Sequence, residues 1–261
     1  MKKARGTRGA IDDAIQGIRW GHDFNGFPTP TNNKFVARVA EGCKRLCTPV
    51  KKQRDFLTQE DILELTNSVD RDDIAQLRFI VIVLLGFAGF LRISDILNLK
   101  VRNLEFDEQK LKIHIERSKN DQLSIGNDIY INRSGNHSCP VSFIRDYLLK
   151  GFVDLKDKNI FLIGKLKKSS GILKICGNSP LTYSRAREVI IAGLKPIQIK
   201  HPNKVFGTHS LRIGGASEAS RLSANFQDVK NHGRWRSDEN TKKYIRTPIE
   251  NKLNVTKILG L

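Results

Sequence analysis

The chain has 261 residues, with 45 Lys and Arg against 27 Asp and Glu, for a formal net charge of +18. So large an excess of cations argues for a polyanionic partner, although charge alone does not choose among DNA, RNA and an anionic membrane surface. The longest apolar run, residues 79–91, is bracketed by Arg78 and Arg92 and is shorter than the roughly 18 residues of a membrane span.

The N-terminal MKKARGTRG is basic but lacks the apolar stretch and cleavage site of a secretory signal, so the chain is not expected to be secreted. Helical spacing of apolar residues predicts helices at residues 10–20 and 34–46, separated by the loop GHDFNGFPTPTNN. A thin helical N-terminal domain is therefore expected over residues 1–50, with a basic linker at 51–57 and a main domain at 58–261. Thr58 and Asp61 open the main domain as a capping box in which Asp replaces Glu. Helices follow at 59–68, 73–87 and 92–99, then alternating segments at 101–106, 111–117 and 124–131 that predict a small three-stranded antiparallel sheet. Further helices are predicted at 140–149, 183–194, 210–221, 225–231 and 239–244, with a Lys-rich loop around 164–171. The class is α+β, mostly helical with one small sheet. Cys43 and Cys47 share a helix face while Cys139 and Cys176 are isolated, the usage of a reducing compartment. His137 and Cys139 lack a second ligand pair at finger-like spacing, so no metal is assigned.

Three segments carry residue types suited to an anionic target. In Gly-Phe-Leu-Arg-Ile-Ser-Asp (89–95), Arg92 interrupts an apolar run, with Asp95 one helical turn on. Read alone, that is better taken as a helix-terminal ion pair. In Gly-Thr-His-Ser-Leu-Arg-Ile-Gly-Gly-Ala-Ser (207–217), His209 and Arg212 stand at the start of a helix rich in small residues, which invites close packing and favours phosphate. The third segment runs from His232 through Gly-Arg-Trp, with Trp235 nine residues before Tyr244.

Together these segments resemble the tyrosine recombinases, the class of phage integrases and Cre recombinase. The match covers residues 58–246, and Ser118-Lys119-Asn120 is similar to the family's β-hairpin lysine. The style of the motifs resembles recombinases of eukaryotic mobile elements such as DIRS-like retroelements and Cryptons. The resemblance implies a catalytic domain preceded by part of a helical core-binding domain. It also implies a site-specific recombinase that cleaves and rejoins double-stranded DNA through a 3′-phosphotyrosyl link, with no metal or nucleotide cofactor. Tyr244 is then the nucleophile, Arg92 and Arg212 the phosphate clamps, His209 the proton acceptor or a hydrogen-bond donor to the phosphate, Lys119 the general acid, and Trp235 the residue in the place of a histidine found in many relatives. His232, twelve residues before Tyr244, does not fit that place. Self-association as a tetramer on DNA follows from the same resemblance, with location in a nucleus or, outside eukaryotes, the cytoplasm. Alternatives are a type IB topoisomerase-like enzyme and a domesticated DNA-binding protein that has lost cleavage. An RNA-binding module fits less well, because aromatics make up only 7% of the chain and few fall in the predicted strands.

Overall fold

The computed structural model describes residues 7–47, 55–116, 126–153, 156–169, 171–246 and 257–258. Two compact units divide at Gln53 and Arg54. The expected hairpin at Ser118-Lys119-Asn120 and nearly all of the tail after Arg246 lie outside the described residues.

The first unit is a helical pair, α1 (Arg8–Phe24) and α2 (Lys34–Leu46), joined by a 3₁₀ turn at Pro30–Asn32. Helix α1 runs four residues past the predicted end, because Thr7 caps its start and termination is delayed to Asn25 and the left-handed Gly26. Polar ties hold the pair: Lys44 meets Asp12 at 2.6 Å, and the Arg8 Nε donates to the Lys44 carbonyl at 2.9 Å. Neither helix has a buried residue, and Trp20 and Phe24 stack at 5.3 Å on the exposed surface.

In the second unit, Leu57 is fully buried and Asp55 is hydrogen-bonded to Val205 through both backbone and side chain, so residues 55–57, expected as linker, pack as part of this unit. The Thr58–Asp61 capping box is present on α3 (Gln59–Ser68). Helix α4 (Ile74–Ala88) is capped by Asp73 and is apolar nearly all round, as expected of a central buried helix. After α5 (Ile93–Asn98) and a 3₁₀ turn at Val101–Asn103, strands β1 (Leu104–Phe106), β2 (Lys110–Ile115) and β3 (Asn127–Asn132) form the antiparallel sheet in the order β1-β2-β3. The turn replaces the first half of the predicted strand at 101–106; Asn103 closes it by accepting from the Lys100 amide. Alternation on β2 puts Leu111, Ile113 and Ile115 in the core.

Helix α6 (Pro140–Lys150) packs on α4. The segment expected as a Lys-rich loop is instead β4 (Gly164–Ser169), paired antiparallel with β5 (Ile172–Pro180) around the left-handed Gly171. Leu166 and Ile175 pack this second sheet on the core, while lysines on its other positions hide the alternation. The remaining helices are α7 (Tyr183–Gly193), α8 (Lys195–Lys200), α9 (Thr208–Arg221), α10 (Phe226–Gly233) and α11 (Asp238–Tyr244). Helix α8, absent from the sequence expectation, has Pro196 in its first turn and Ile197 buried. Helices α9 and α4 approach so closely that a Cβ on Gly215 would overlap the Phe87 carbonyl oxygen. A small second cluster, Phe90, Ala216, Val229 and Trp235, lies beside the main core and receives Tyr244 and Ile245.

Candidate active site

Four short stretches converge on the second cluster. Helix α4 ends in Gly89 and Phe90, and Phe90 adopts a positive φ of 45°, a conformation rare for a bulky residue. The turn delivers Arg92 to the N-cap of α5. Its amide donates to Asp95 Oδ2 at 3.3 Å, and its guanidinium stands 3.9 Å from the same oxygen. The ion pair expected from the i, i+3 spacing is therefore present, with Asp95 buried and Arg92 retaining 14% side-chain exposure.

Helix α9 opens at Gly207, whose amide donates to Ser210 Oγ at 2.9 Å. His209 faces solvent at this end, and one turn on Arg212 is 1% exposed, its Nη2 donating to the Gly233 carbonyl at 2.6 Å. Glycines at 214 and 215 allow this depth of burial, since the first faces the Leu57 backbone and the second the end of α4. Helix α10 then ends at Arg234, which takes the left-handed cap conformation (φ 56°, ψ 40°). Trp235 follows, and Gly233 leaves room for its ring.

Tyr244 ends α11. Ser217 Oγ donates to its carbonyl at 3.2 Å and accepts from the Arg246 amide at 2.9 Å, fastening the tyrosine turn to α9. The Tyr244 ring lies 4.9 Å from the Trp235 ring, inclined by 32°, and the Arg212 guanidinium carbon is 5.0 Å from the Tyr244 ring and 4.8 Å from Trp235. Both are cation–π distances. Of the six residues singled out in the sequence, Arg92, Arg212, Trp235 and Tyr244 are thus brought together, and His209 stands one turn before Arg212 on α9; the sixth, Lys119, lies outside the described residues. His232 turns to the Ala88 carbonyl at 2.8 Å and meets the Phe90 ring edge-on.

Charge is concentrated and poorly solvated here. Burial, reinforced by Arg92 and Arg234, pushes the Arg212 guanidinium down to about 9, against the opposing pull of Tyr244 and Asp95. Burial likewise takes Arg234 down to about 10, with Asp95 opposing and Arg92 assisting. His209 is lowered from the ordinary imidazole value by desolvation and then by the two cations Arg212 and Arg92. Nε and Nη1 of both Arg212 and Arg234, and Nε1 of Trp235, are enclosed without an acceptor among the described residues. Such donors cost about 1–3 kcal/mol each, more when charged, and an oxygen-rich anion is the kind of group that would satisfy them.

Arg234 was not given a role from the sequence. A helix-capping residue at left-handed φ is usually Gly or Asn, and Gly233, one residue earlier, draws attention away from it. Among the described residues no group of three His, Cys, Asp or Glu is placed to hold a metal, and no helix is long and apolar enough to cross a membrane.

Residues 55–250 match the model of the phage integrase family. Over 228 residues the chain is 22% identical to an integrase/recombinase XerD homolog of Selenomonas ruminantium, covering 85% of this chain and 62% of that protein. It thus spans less than two thirds of that relative's length. Among solved structures, XerA recombinase superposes with a TM-score of 0.55 at 15% identity, covering 98% of this chain and 84% of that one. XerH recombinase, in a post-cleavage complex with its difH substrate, gives 0.54 at 15% identity over 79% of this chain and 53% of that one. At such identity the superpositions speak to the fold, a mostly helical catalytic domain with a small antiparallel sheet. With the family model spanning most of the second unit and all five described site residues, the chain belongs to the phage integrase family of tyrosine recombinases.

Proposed function

We propose that this chain cleaves and rejoins DNA strands site-specifically, using Tyr244 as the nucleophile. The observation that carries the reading is the placement of Tyr244 against Trp235 and beside Arg212, a buried guanidinium with two N–H-bearing nitrogens that find no acceptor among the described residues. The phenol oxygen attacks a backbone phosphorus as the P–O5′ bond breaks, giving a 3′-phosphotyrosyl link and a free 5′-hydroxyl. The reverse attack rejoins a strand, so bond energy is retained.

A phenol with the ordinary pKa of about 10 needs help near neutral pH. His209, held below its usual value, is neutral there and accepts the phenol proton. Arg92 and Arg212 fork onto the non-bridging oxygens and stabilise the charge that builds up in the pentacoordinate transition state. The arginines supply the electrostatic role that metal ions play in other phosphoryl transfers, so the reading assigns no metal or nucleotide cofactor. Trp235, its ring buried, acts as the wall that orients the tyrosine. Lys119 is assigned from the family resemblance as the acid that protonates the departing 5′-oxygen. Residues 1–50 serve in the same reading as part of a core-binding domain, and copies of the chain assemble on DNA as a tetramer. The excess of cations makes binding strongly salt-dependent.

The test is a nicked duplex from the cognate site that traps the covalent intermediate. A protein–DNA band that survives denaturation, lost in Tyr244→Phe and weakened in Arg212→Ala, supports the reading. Salt-sensitive binding with no covalent product, by a protein that includes any missing part of the core-binding domain, would instead favour a binding protein that has lost cleavage.

A further inference from the structure

Arg234 is an unusual residue for its place. Backbone at positive φ is unfavourable for residues other than glycine, yet a bulky, charged side chain stands there with φ 56°. Its guanidinium is nearly enclosed, at 6% side-chain exposure, and reaches inward. Nη2 donates to Asp95 Oδ2 at 3.4 Å and to the Phe90 carbonyl at 3.4 Å. Phe90 is itself left-handed, at φ 45°. One hydrogen bond therefore joins two strained residues, one lying two positions before Arg92 and the other one position before Trp235.

The charge balance gives this contact its meaning. Asp95 Oδ2 stands 3.4 Å from Arg234 and 3.9 Å from Arg92, so the two guanidinia compete for one buried oxygen. Arg234 is the nearer. With Arg212 included, three guanidinia face one carboxylate, an excess of two positive charges. A bridging phosphate carries one negative charge, and the five-coordinate transition state approaches two.

Resting on the recombinase reading above, we infer that Arg234 is a positioning residue: it occupies the Asp95 carboxylate, so that Arg92 is oriented by Asp95 without being neutralised by it and keeps its guanidinium free for the scissile phosphate. Arg234 also pins the turn carrying Trp235 to the turn carrying Arg92. Its Nη2 is committed to Asp95 and the Phe90 carbonyl, the contacts through which it acts on Arg92. Without it, Asp95 draws Arg92 into a closer pair, directed away from DNA.

The test compares Arg234→Gly, which relieves the backbone strain, with Arg234→Gly/Asp95→Asn in the full chain. The single variant is expected to slow single-turnover cleavage of the nicked duplex by at least tenfold and to weaken its DNA Kd about fivefold or more, as Arg92 is drawn off the phosphate. The double variant is expected to recover to within about threefold of wild type, since the competing carboxylate charge is gone. A merely structural arginine predicts no such recovery, because the second substitution removes one more native interaction. Normal cleavage by Arg234→Gly, or a double variant no better than the single, overturns the inference.

A binding cycle in the Tyr244→Phe protein gives a readout independent of cleavage. There Arg92→Ala should weaken binding to the duplex about tenfold when Arg234 is present and less than twofold in the Arg234→Gly background. Equal losses in both backgrounds overturn the inference whether or not the wild-type protein cleaves. Absence of cleavage by the wild-type protein, with the binding cycle as expected, counts against the strand-cleaving reading and leaves the Arg234 assignment standing.

Discussion

Replacing Gly215 with Ala perturbs a close approach of α9 to α4, and its cost can be worked from the structure. The added methyl would overlap the Phe87 carbonyl oxygen and stand 2.7 Å from Phe90 Cε1. The first obstacle is backbone at the end of α4 and cannot rotate away. The second belongs to a ring held by His232 at 4.6 Å and Trp235 at 6.2 Å. Helix α9 must therefore back away from α4. Overpacking typically costs about 1–3 kcal/mol, and the better helix propensity of alanine returns up to about 1 kcal/mol. A net loss of about 2 kcal/mol is expected in urea denaturation. The functional loss should be larger than the stability loss suggests. Helix α9 carries both His209 and Arg212, and a displacement near 1 Å at a catalytic group can cost about 100-fold in rate. Single-turnover formation of the covalent complex, measured where the variant is fully folded, reads this directly. Gly42→Ala in α2, where a Cβ would meet nothing within 4 Å, is the control and should be neutral or stabilising. A Gly215→Ala protein with wild-type stability and rate would refute the close α4–α9 approach and the argument built on it.

Trp235→Ala removes the centre of the small cluster and should cost about 3–5 kcal/mol, whereas Trp235→Phe, which keeps a ring against Tyr244, should retain most of the stability; comparison by thermal melting with covalent-complex yield separates packing from orientation. Tyr147 is fully buried in α6 with a hydroxyl that finds no acceptor or donor among the described residues, so Tyr147→Phe should be neutral or stabilising by about 1 kcal/mol, read as a shift in the urea midpoint at unchanged slope. Because the pKa of His209 is held below the ordinary imidazole value, a neutral proton acceptor remains available as pH falls through 6.5, and cleavage should decline only at lower pH; a rate that halves at or above 6.5 would remove His209 from that role. The same sign applies to the stability contributed by His232, whose pKa burial lowers against the pull of the Ala88 carbonyl. The folded state resists its protonation, so stability is complete above 6.5 and is lost as pH falls through the lowered value. The stability loss between pH 6.5 and 5 should therefore shrink in His232→Gln.

Local signals in the sequence carried much of this architecture. Helices α2 and α3 begin and end where apolar spacing and the Thr58–Asp61 box place them, and the small residues of α9 do face close neighbours. The β4–β5 sheet was hidden because Lys165, Lys167, Lys168 and Lys174 break the apolar alternation, and only Leu166 and Ile175 carry its buried face. Helix α8 is a six-residue element whose one buried side chain, Ile197, gives no period to read. At the site, the residue types and order of Arg92, His209, Arg212, Trp235 and Tyr244 were legible, because motif spacing survives in one dimension. Arg234 was not, because its role depends on Phe90 and Asp95, well over a hundred residues earlier in the chain, and on a backbone conformation that arginine seldom adopts.

The central claim is that Tyr244 forms a covalent bond to DNA phosphate. The most direct measurement is mass spectrometry of the protein trapped on a nicked duplex, digested with nuclease and protease to locate the phosphonucleotide adduct. The account predicts the adduct on the peptide containing Tyr244, with fragmentation assigning it to the phenol oxygen and no adduct in Tyr244→Phe. An adduct on Tyr130, Tyr147 or Tyr183, or one that persists in Tyr244→Phe, would contradict it.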